Sequence, residues 1–466
     1  MLRVLRIQII ALALSLCTVS AFAGDPIREA ILGSAYSSHE GYTVLQRICD
    51  EAGGRLPGSP ANERTLLILE QELRKHGVTA HREAFTMPGW ERGDDAVTVL
   101  TPEPRPLRAI ALGYVDAHPA FEAPLTWAAH GRDGECGGIR GSVALVTSEA
   151  PKEGESPLRY EIIARAAAAG ARAVLFINDK PGGLLLAGVS NFLGTPSALP
   201  AYSITYEEGQ RLRRLLSGDR SVTVRIATAS RCKTVATANL VATFPGKRKA
   251  RIVVGGHVDG WDIGQGAVDN GVGSAAVYEI ARLLARFSPS NEYTVDCVWF
   301  NGEELGIWGA GAYVKAHAQD SIVAMVNLDM PGRPTGINVM GHDALLPFAR
   351  TFLTGLQGYA FTDSVISVPW TNSDHQWFLL EGIPSFTFMG HLEKGSVFHY
   401  HDMGDTFDKV DRRALVDASA VAALLVRELA NGTALPLRRK SLEERLENFR
   451  KSGMEQRLKR QGQWPF

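Results

Sequence analysis

Six histidine, aspartate and glutamate side chains in the second half of the chain have the types and spacing of five ligands for two adjacent divalent metal ions plus one free carboxylate. They are His257, Asp269, Glu303, Glu304, Asp329 and His401. His257 and Asp329 can hold one ion, and Glu304 and His401 can hold the other. Asp269 can give one oxygen to each ion, because a carboxylate can bridge two metals whereas an imidazole cannot. Such ions lie about 3.5–4 Å apart and clamp both an attacking water and the oxygen that it attacks.

These ligand types favour zinc, and cobalt or manganese would also be accepted, because affinity alone does not fix the metal. Glu303 is left outside the ligand set. It points away from its neighbour Glu304 yet stays within reach of the attacking water. We therefore predict that Glu303 is the general base, which takes the proton of the water and passes it to the leaving amine; a purely structural role is the alternative. Asp259, two residues after His257, is the predicted hydrogen-bond partner of that imidazole.

The six side chains are spaced too widely for one helix, so a fold that lines up strand ends must gather them. Short apolar runs at residues 251–256, 293–300 and 322–328 predict strands that are buried on both faces. Residues 275–287 have helical spacing, so strand, loop, helix and strand make a crossover unit. We predict an α/β fold with a mostly parallel, mixed sheet sandwiched by helices. Its functional loops should lie outside the carboxyl ends of the strands.

Segments 257–271, 301–304, 327–329 and 401–406 resemble the dinuclear zinc exopeptidases. Within that family, Trp261-Asp262-Ile-Gly-Gln-Gly-Ala is most similar to the carboxypeptidase Q-like branch. The resemblance covers most of the mature chain. It implies the metal roles given above, two zinc ions per chain, a peptidase for small unblocked peptides, and a cis peptide bond between Asp269 and Asn270.

The same resemblance orders the remaining candidates. His401 is preferred to His399 as a ligand because it stands four residues before Asp405, as in the family. Asp405 is expected to cap a turn or to support the ligands, and Asp262 to shape its loop or to support them. Ser373-Asp374-His375 recurs in relatives and is expected in the pocket wall or behind the ligands. Surface or loop positions are expected for the other histidines, such as His39, His76, His118 and His342.

A separate region, from about residue 95 to residue 232, interrupts the peptidase pattern. Its predicted strands at 141–146 and 173–177 flank an Ala-rich helix at 160–169 that ends at Gly170. It resembles the protease-associated domain that several of these exopeptidases carry. A lid or a substrate filter is its expected role, and a passive spacer is the alternative.

The chain then divides into residues 24–94 and 233–435 for the peptidase domain, 95–232 for the insertion and 436–466 for a charged tail. The tail is predicted to be helical near residues 441–449. It shows no obvious core face, so we expect it to be mobile or docked on a partner subunit.

Residues 1–23 differ from the rest. Arg3 and Arg6 precede an apolar run from Ile7 to Val19, and Ala21-Phe22-Ala23 is a small-x-small cleavage site. This predicts a signal peptide, a mature start at Gly24 and a secreted or periplasmic protein. The formal net charge of −1 gives no reason to bind nucleic acid or anionic membrane, and no later stretch is long and apolar enough to span a bilayer. The expected partner is a small peptide substrate, and a homodimer is left open.

Four cysteines remain after the leader, and an exported chain permits disulfides. Cys297 lies in a predicted core strand and is expected to be a free buried thiol. Cys136 and Cys232 flank the insertion and are the best candidates for a bridge.

Together these patterns predict an exported dinuclear-zinc exopeptidase that hydrolyses unblocked dipeptides or short peptides with a zinc-activated water and a glutamate base. One alternative is a non-catalytic receptor or binding module on the same fold, which the complete ligand set and Glu303 argue against. Another is an acyltransferase of the glutaminyl cyclase type, which uses a single zinc. Aminopeptidase, dipeptidase and carboxypeptidase activities share such a metal centre, so the sequence leaves the recognised peptide terminus open.

Overall fold

A computed structural model describes residues 25–466 apart from residues 219, 289, 357 and 394. The predicted signal peptide and the start at Gly24 lie outside the described residues. The helices are α1 (Pro26–Ser37), α2 (Glu40–Glu51), α3 (Pro60–Lys75), α4 (Arg159–Ala168), α5 (Tyr206–Ser217), α6 (Val272–Phe287), α7 (Trp308–Ala316), α8 (Leu346–Thr354), α9 (His375–Leu380), α10 (Arg412–Asn431), α11 (Leu442–Lys451) and α12 (Met454–Gln461). The strands are β1 (Ala80–Glu91), β2 (Ala96–Thr101), β3 (Arg105–Pro106), β4 (Ala109–Ala111), β5 (His118–Trp127), β6 (Val143–Thr147), β7 (Ala173–Ile177), β8 (Ala201–Ile204), β9 (Thr223–Thr228), β10 (Arg231–Phe244), β11 (Gly246–His257), β12 (Asn291–Phe300), β13 (Ile322–Asn327), β14 (Arg333–Asn338) and β15 (Ser385–His391).

Seven strands form the first sheet, in the order β1-β10-β12-β11-β13-β15-β14. The central strands β12, β11, β13 and β15 are parallel, and the outer pairs are antiparallel. Helices α1, α2, α3, α6 and α10 pack on one face, and α7 and α9 pack on the other. Because both faces are covered, β12, β13 and the second half of β11 are almost entirely buried. The predicted mixed α/β sheet between helices is confirmed.

Helix α6 is the crossover between the parallel strands β11 and β12, as predicted. It begins very close to the end of β13, where a Cβ on Gly273 would lie 2.0 Å from the carbonyl oxygen of Leu328. Only glycine fits at this point. The absent side chain therefore lets the helix start beside the strand ends that carry the predicted ligands.

Eight strands form the second sheet, in the order β3-β2-β9-β5-β6-β7-β8-β4, with its own apolar core. Strands β5 to β8 are parallel, and every residue of β6 and β7 is buried. This sheet is inserted between β1 and β10, which pair with each other in the first sheet so that Glu91 lies opposite Arg231. The two ends of the insertion are thus adjacent, and the first sheet continues undisturbed.

The C-terminal tail packs on its own chain. Phe449 of α11 and Met454 and Leu458 of α12 are 2%, 3% and 0% exposed, in a cluster with Met340, Leu379 and Leu380. The expectation of a tail without a core face was wrong. The apolar residues are shared between two short helices, and they meet on one face only because the chain turns at Gly453, whose φ is +76°.

The four cysteines of the described chain, Cys49, Cys136, Cys232 and Cys297, are free thiols. The expected Cys136–Cys232 bridge is therefore wrong, and the free, buried Cys297 is confirmed. Cys232 lies in β10 of the first sheet, where its thiol donates to the carbonyl of Tyr114 at 3.3 Å. Cys136 lies inside the insertion, in a turn before β6, so the two thiols belong to different sheets and do not form a bridge. Among the described helices, none is long and apolar enough to cross a membrane.

Candidate metal centre and cavity

Three neighbouring parallel strands bring most of the predicted ligands to one edge of the first sheet. His257 is the last residue of β11 and pairs with Phe300, the last residue of β12. The Glu303–Glu304 turn follows β12, and Asp329 follows β13 by two residues. The ligand loops therefore cluster because the carboxyl ends of parallel strands meet at the same edge.

The two oxygens of Asp269 face two different imidazoles. Its Oδ1 is 3.2 Å from Nε2 of His257, and its Oδ2 is 3.1 Å from Nε2 of His401. Asp329 Oδ1 lies 3.5 Å from the first imidazole, and Glu304 Oε2 lies 3.0 Å from the second. The residues thus form two groups of three that share Asp269, and in each group one ligand atom per residue lies within 4.8 Å of the others. The peptide bond between Asp269 and Asn270 is cis, as the resemblance implies.

The residues in these two groups fit divalent cations. Both carboxylate oxygens of Glu304 and Oδ1 of Asp329 are buried, and none accepts a hydrogen bond of good geometry within the described chain. Buried acceptors of this kind normally find a donor or a cation. Histidine nitrogens and carboxylate oxygens are also the ligands that zinc takes in catalytic sites.

The electrostatics of the cluster point the same way. Burial raises the pKa of Glu303 well above its ordinary value, and burial likewise raises the pKa of Glu304. Burial alone would lower the pKa of His401, but the adjacent Glu304 and Asp269 carboxylates outweigh it and raise that pKa. Crowded, buried carboxylates repel one another, and a bound cation would remove that cost.

Asp405 and Arg55 hold the loop that carries Asp269. The carboxylate of Asp405 accepts hydrogen bonds from the backbone N–H groups of Val268 (2.7 Å) and Asp269 (3.0 Å). Burial raises the pKa of Asp405 to about 6. Arg55 is completely buried, and its guanidinium donates to the carbonyls of Val258 (2.6 Å), Gln265 (2.6 Å) and Gly266 (2.8 Å). No local pattern in the sequence shows which carbonyls Arg55 reaches, because they lie 203 to 211 residues away.

Asp259 binds the neighbouring loop. Its carboxylate accepts hydrogen bonds from three consecutive backbone N–H groups, those of Gly302 (3.0 Å), Glu303 (3.2 Å) and Glu304 (3.1 Å). Its Oδ1 lies 3.7 Å from Nδ1 of His257, whereas its own backbone carbonyl lies 3.2 Å from that nitrogen. The imidazole is therefore oriented by the backbone of Asp259, and the side chain fixes the turn that carries Glu303 and Glu304.

The other predicted candidates lie around the centre. The carboxylate of Asp262 forms two hydrogen bonds with Arg92 (2.7 and 2.9 Å), which tie its loop to the start of the insertion. Ser373 accepts a hydrogen bond from Asn327 at 2.8 Å, and His375 contacts the same amide at 3.2 Å. Asp374 is fully buried, neither of its oxygens has a hydrogen-bond partner within the described chain, and burial raises its pKa. His342 lies in a loop, as expected, but is buried.

A cavity of about 300 Å³ opens onto this centre. One part of its wall comes from the peptidase domain, with Glu303, Glu304, Asn372 and His401. The other part comes from the insertion, at residues 158–160 and 188–192. A larger groove of about 920 Å³ beside α7 and α9 contains none of the six predicted residues. The smaller cavity is therefore the one in which a substrate would meet the chemistry.

The insertion also contacts the backbone of the ligand loops. The N–H of Ala187 donates to the carbonyl of His401 at 2.8 Å. The hydroxyl of Tyr114 donates to the carbonyl of Leu305, directly after Glu304, at 2.5 Å. The insertion is thus packed against both sides of the centre and forms part of its wall.

The sheet with paired histidine and carboxylate ligands at its edge, joined to a smaller inserted β/α domain, defines the zinc exopeptidase fold. Residues 239–426 match the family model of peptidase family M28, and residues 114–212 match that of the PA domain. The chain is 26% identical over 437 residues to carboxypeptidase Q of Bos taurus, which covers 87% of this chain and 89% of that protein.

Two solved structures share the fold. The peptidase M28 precursor from Shewanella amazonensis has a TM-score of 0.76 at 23% identity and covers 87% of this chain and 96% of its own. A zinc aminopeptidase from Bacillus subtilis has a TM-score of 0.67 at 22% identity, with coverage of 84% and 94%. The chain therefore contains a domain of peptidase family M28 and a PA domain, the arrangement of the carboxypeptidase Q-like branch to which it is similar, and it is a metallo-exopeptidase.

Proposed function

We propose that this protein is an exported dinuclear-zinc exopeptidase that hydrolyses unblocked dipeptides and short peptides. The observation that carries the proposal is the position of Asp269, whose two oxygens lie 3.2 and 3.1 Å from the imidazoles of His257 and His401. A carboxylate in this position can bind two ions at once. With Asp329 beside one imidazole and Glu304 beside the other, each ion would have three protein ligands.

When bound, such a metal pair would polarise the scissile carbonyl and lower the pKa of the attacking water. Glu303 is the residue that would move the proton. It lies in the cavity wall, is not one of the grouped ligand residues, and has a pKa that burial raises, which makes its carboxylate a better proton acceptor. Asp259 holds the backbone of Glu303, so the carboxylate can accept the proton and donate it to the leaving amine without a change in the loop.

The cavity supports a short substrate. Its volume of about 300 Å³ lies at the lower end of the range for small-molecule sites, about 300–1,000 Å³. Arg159 from the insertion is the only lysine or arginine in the described wall, and within the described chain it has no carboxylate partner. Among the residues that the structure describes, its guanidinium donates only to the carbonyl of Ala187, at 3.3 Å. A cation in this position suits a peptide whose free carboxyl group is close to the scissile bond.

Export follows from the predicted signal peptide at residues 1–23, and the amino-terminal sequence of the protein recovered from outside the cytoplasm would test it. A start near Gly24 is expected. The partner is the peptide alone, without nucleic acid or membrane, and the mass of the purified protein in solution would decide whether it is a homodimer.

The roles of Glu303 and Glu304 provide the decisive test. Glu303→Gln keeps the size of the side chain but cannot accept a proton, so zinc should stay near two per chain while kcat falls about 10²–10⁴-fold. Glu304→Gln should lose zinc from one site, because a neutral amide is a poor ligand. Glu381→Gln, at an exposed position, is the matched control and should keep both zinc and activity. The reverse pattern of zinc loss would exchange the two roles.

Product analysis on free, amino-blocked and carboxyl-blocked dipeptides and tripeptides identifies the recognised terminus. We expect cleavage of the free peptides and loss of activity on blocked dipeptides. One zinc per chain with cyclisation of amino-terminal glutamine would favour the acyltransferase. Two zinc ions without hydrolysis of any peptide would favour a binding module.

A further inference from the structure

The last helix of the chain joins the two walls of the cavity from outside. Arg460 and Gln461 are consecutive residues near the end of α12. Arg460 reaches the inserted domain, and Gln461 reaches the peptidase domain. The predicted function assigns no role to this contact.

Arg460 binds the start of α4. Its guanidinium forms two hydrogen bonds with the carboxylate of Glu161, both 2.9 Å long, and a third with Glu155 at 2.8 Å. Glu161 also accepts the backbone N–H of Leu158 at 2.9 Å, which caps α4. Arg159, which lines the cavity, lies between Leu158 and Glu161 in sequence. Arg460 therefore holds the turn of the insertion that presents Arg159 to the substrate.

Gln461 binds the opposite wall. It is 2% exposed, and its side-chain amide donates to Oδ1 of Asn372 at 3.1 Å. Asn372 lines the cavity and has a left-handed backbone, with φ +76°. The side-chain oxygen of Gln376 accepts a hydrogen bond from the backbone N–H of Asn372 (3.0 Å), and the side-chain amide of Gln376 donates to Gln463 of the tail (3.4 Å). Such a backbone needs support from its surroundings, and here the tail supplies part of it.

The apolar side of α12 fixes the helix on the peptidase domain. Leu458 and Met454 are buried there, and Leu193, from the insertion, lies beside Gly462 directly after the helix. The helix is thus anchored on one domain and holds the other by charge.

We propose that Arg460 is a positioning residue for substrate specificity: by holding the Glu161 turn it keeps the cavity narrow, so that short peptides are cleaved in preference to long ones. The inference rests on the proposed peptidase function and extends it to substrate length. Without Arg460, the start of α4 should move away from Asn372 and admit longer chains. The ion pair should contribute through KM rather than kcat, because Arg460 touches none of the reacting groups.

The test compares wild type with Arg460→Ala on alanine dipeptide and alanine pentapeptide, in the zinc-loaded full chain. In Arg460→Ala, we expect KM for the dipeptide to rise at least about threefold while kcat stays nearly unchanged. The kcat/KM for the pentapeptide divided by that for the dipeptide should rise by at least about the same factor. A change of this size corresponds to the free energy of a partly exposed ion pair. Arg460→Lys should give a smaller change, because lysine keeps the charge and loses the two-pronged geometry. Hydrogen exchange of residues 158–166 should become faster in Arg460→Ala.

Arg457→Ala is the matched control, since it removes the same charge from an exposed position of the same helix. It should leave both the ratio and the exchange unchanged. If Arg460→Ala does not fold, Glu161→Gln takes its place, because it weakens the ion pair while its amide oxygen can still accept from Leu158.

The outcomes separate the two proposals. A wild-type protein that binds zinc and cleaves neither peptide would refute the proposed function. A wild-type protein that cleaves dipeptides, combined with an Arg460→Ala variant whose length ratio equals that of wild type, would overturn only the role of the tail. A ratio that shifts equally in Arg457→Ala would also overturn it, because the effect would then be one of net charge.

Discussion

Replacing Asp259 by asparagine tests how the centre holds its catalytic turn. The carboxylate accepts three backbone N–H groups, two on Oδ1 from Gly302 and Glu303 and one on Oδ2 from Glu304. Asparagine has one acceptor oxygen in place of two. If that oxygen keeps the first two bonds, the NH₂ group faces the N–H of Glu304, and two donors point at each other.

The expected loss of stability follows from the number of hydrogen bonds that the asparagine cannot form. One charge-assisted hydrogen bond is lost, which is worth about 1.5–3 kcal/mol, and a buried N–H is left without an acceptor. We expect the free energy of unfolding to fall by roughly 2–4 kcal/mol. Zinc affinity should fall by about 10–100-fold, as for other residues that orient metal ligands.

The assay is urea unfolding of the zinc-free protein together with chelator competition for zinc. Asp262→Asn is the control, because its partner Arg92 lies at the partly exposed edge of the loop and no metal ligand depends on it directly. To decide which ligand Asp259 supports, Asp259→Asn is combined with Glu304→Gln. Little further loss of zinc in the double variant would show that Asp259 acts through the Glu304 turn.

If the losses of zinc in Asp259→Asn and Glu304→Gln are strictly additive in the double variant, Asp259 acts through His257. That result would refute the role inferred from the three N–H bonds. A single variant with the unfolding free energy and zinc affinity of wild type would refute any supporting role.

Three further perturbations have definite expected results. Asp269→Ala should lose both zinc ions together, and elemental analysis that finds one ion at full occupancy would contradict bridging. Burial lowers the pKa of His342 from 6.5 to about 4. As the pH falls, this histidine is protonated in the unfolded chain before it is protonated in the folded protein. The free energy of unfolding should therefore fall by up to roughly 3 kcal/mol between pH 6.5 and pH 4. His342→Gln should flatten that part of the zinc-free pH curve, and an unchanged curve would refute the assignment. Tyr114→Phe removes the hydroxyl that donates to the carbonyl of Leu305, and it should cost about 1 kcal/mol in urea unfolding; equal stability would show that water replaces the bond.

Deletion of the insertion should do more than remove a lid from the cavity. Ala187 donates to the carbonyl of His401, and Tyr114 donates to that of Leu305. The insertion therefore supports the backbone of two ligand loops as well as the cavity wall. We expect its removal to change zinc binding together with substrate preference.

Much of the centre could be predicted from sequence because its ligands are tied to local pattern. A buried strand that ends in histidine, and turns with acidic residues after the next two strands, place their side chains at one sheet edge in any parallel arrangement. Thus His257, Glu304 and Asp329 could be grouped without coordinates, and the structure brings them together with Asp269 and His401. Helix α6 could be predicted from its apolar spacing for the same local reason.

The remaining features depend on contacts between distant parts of the chain. Arg55 reaches carbonyls 203 to 211 residues away, and no periodicity shows which ones an arginine will find. The sequence of the tail shows no core face, because its apolar residues meet only after the turn at Gly453. The thiols of Cys136 and Cys232 stay unpaired because the first lies within the insertion and the second lies in a strand of the first sheet. Residue type and local spacing thus determined the chemistry of this protein, whereas the supports of its ligands and the width of its cavity were decided by tertiary structure, because hydrogen bonds and ion pairs form only between groups that the folded chain brings within about 3 Å.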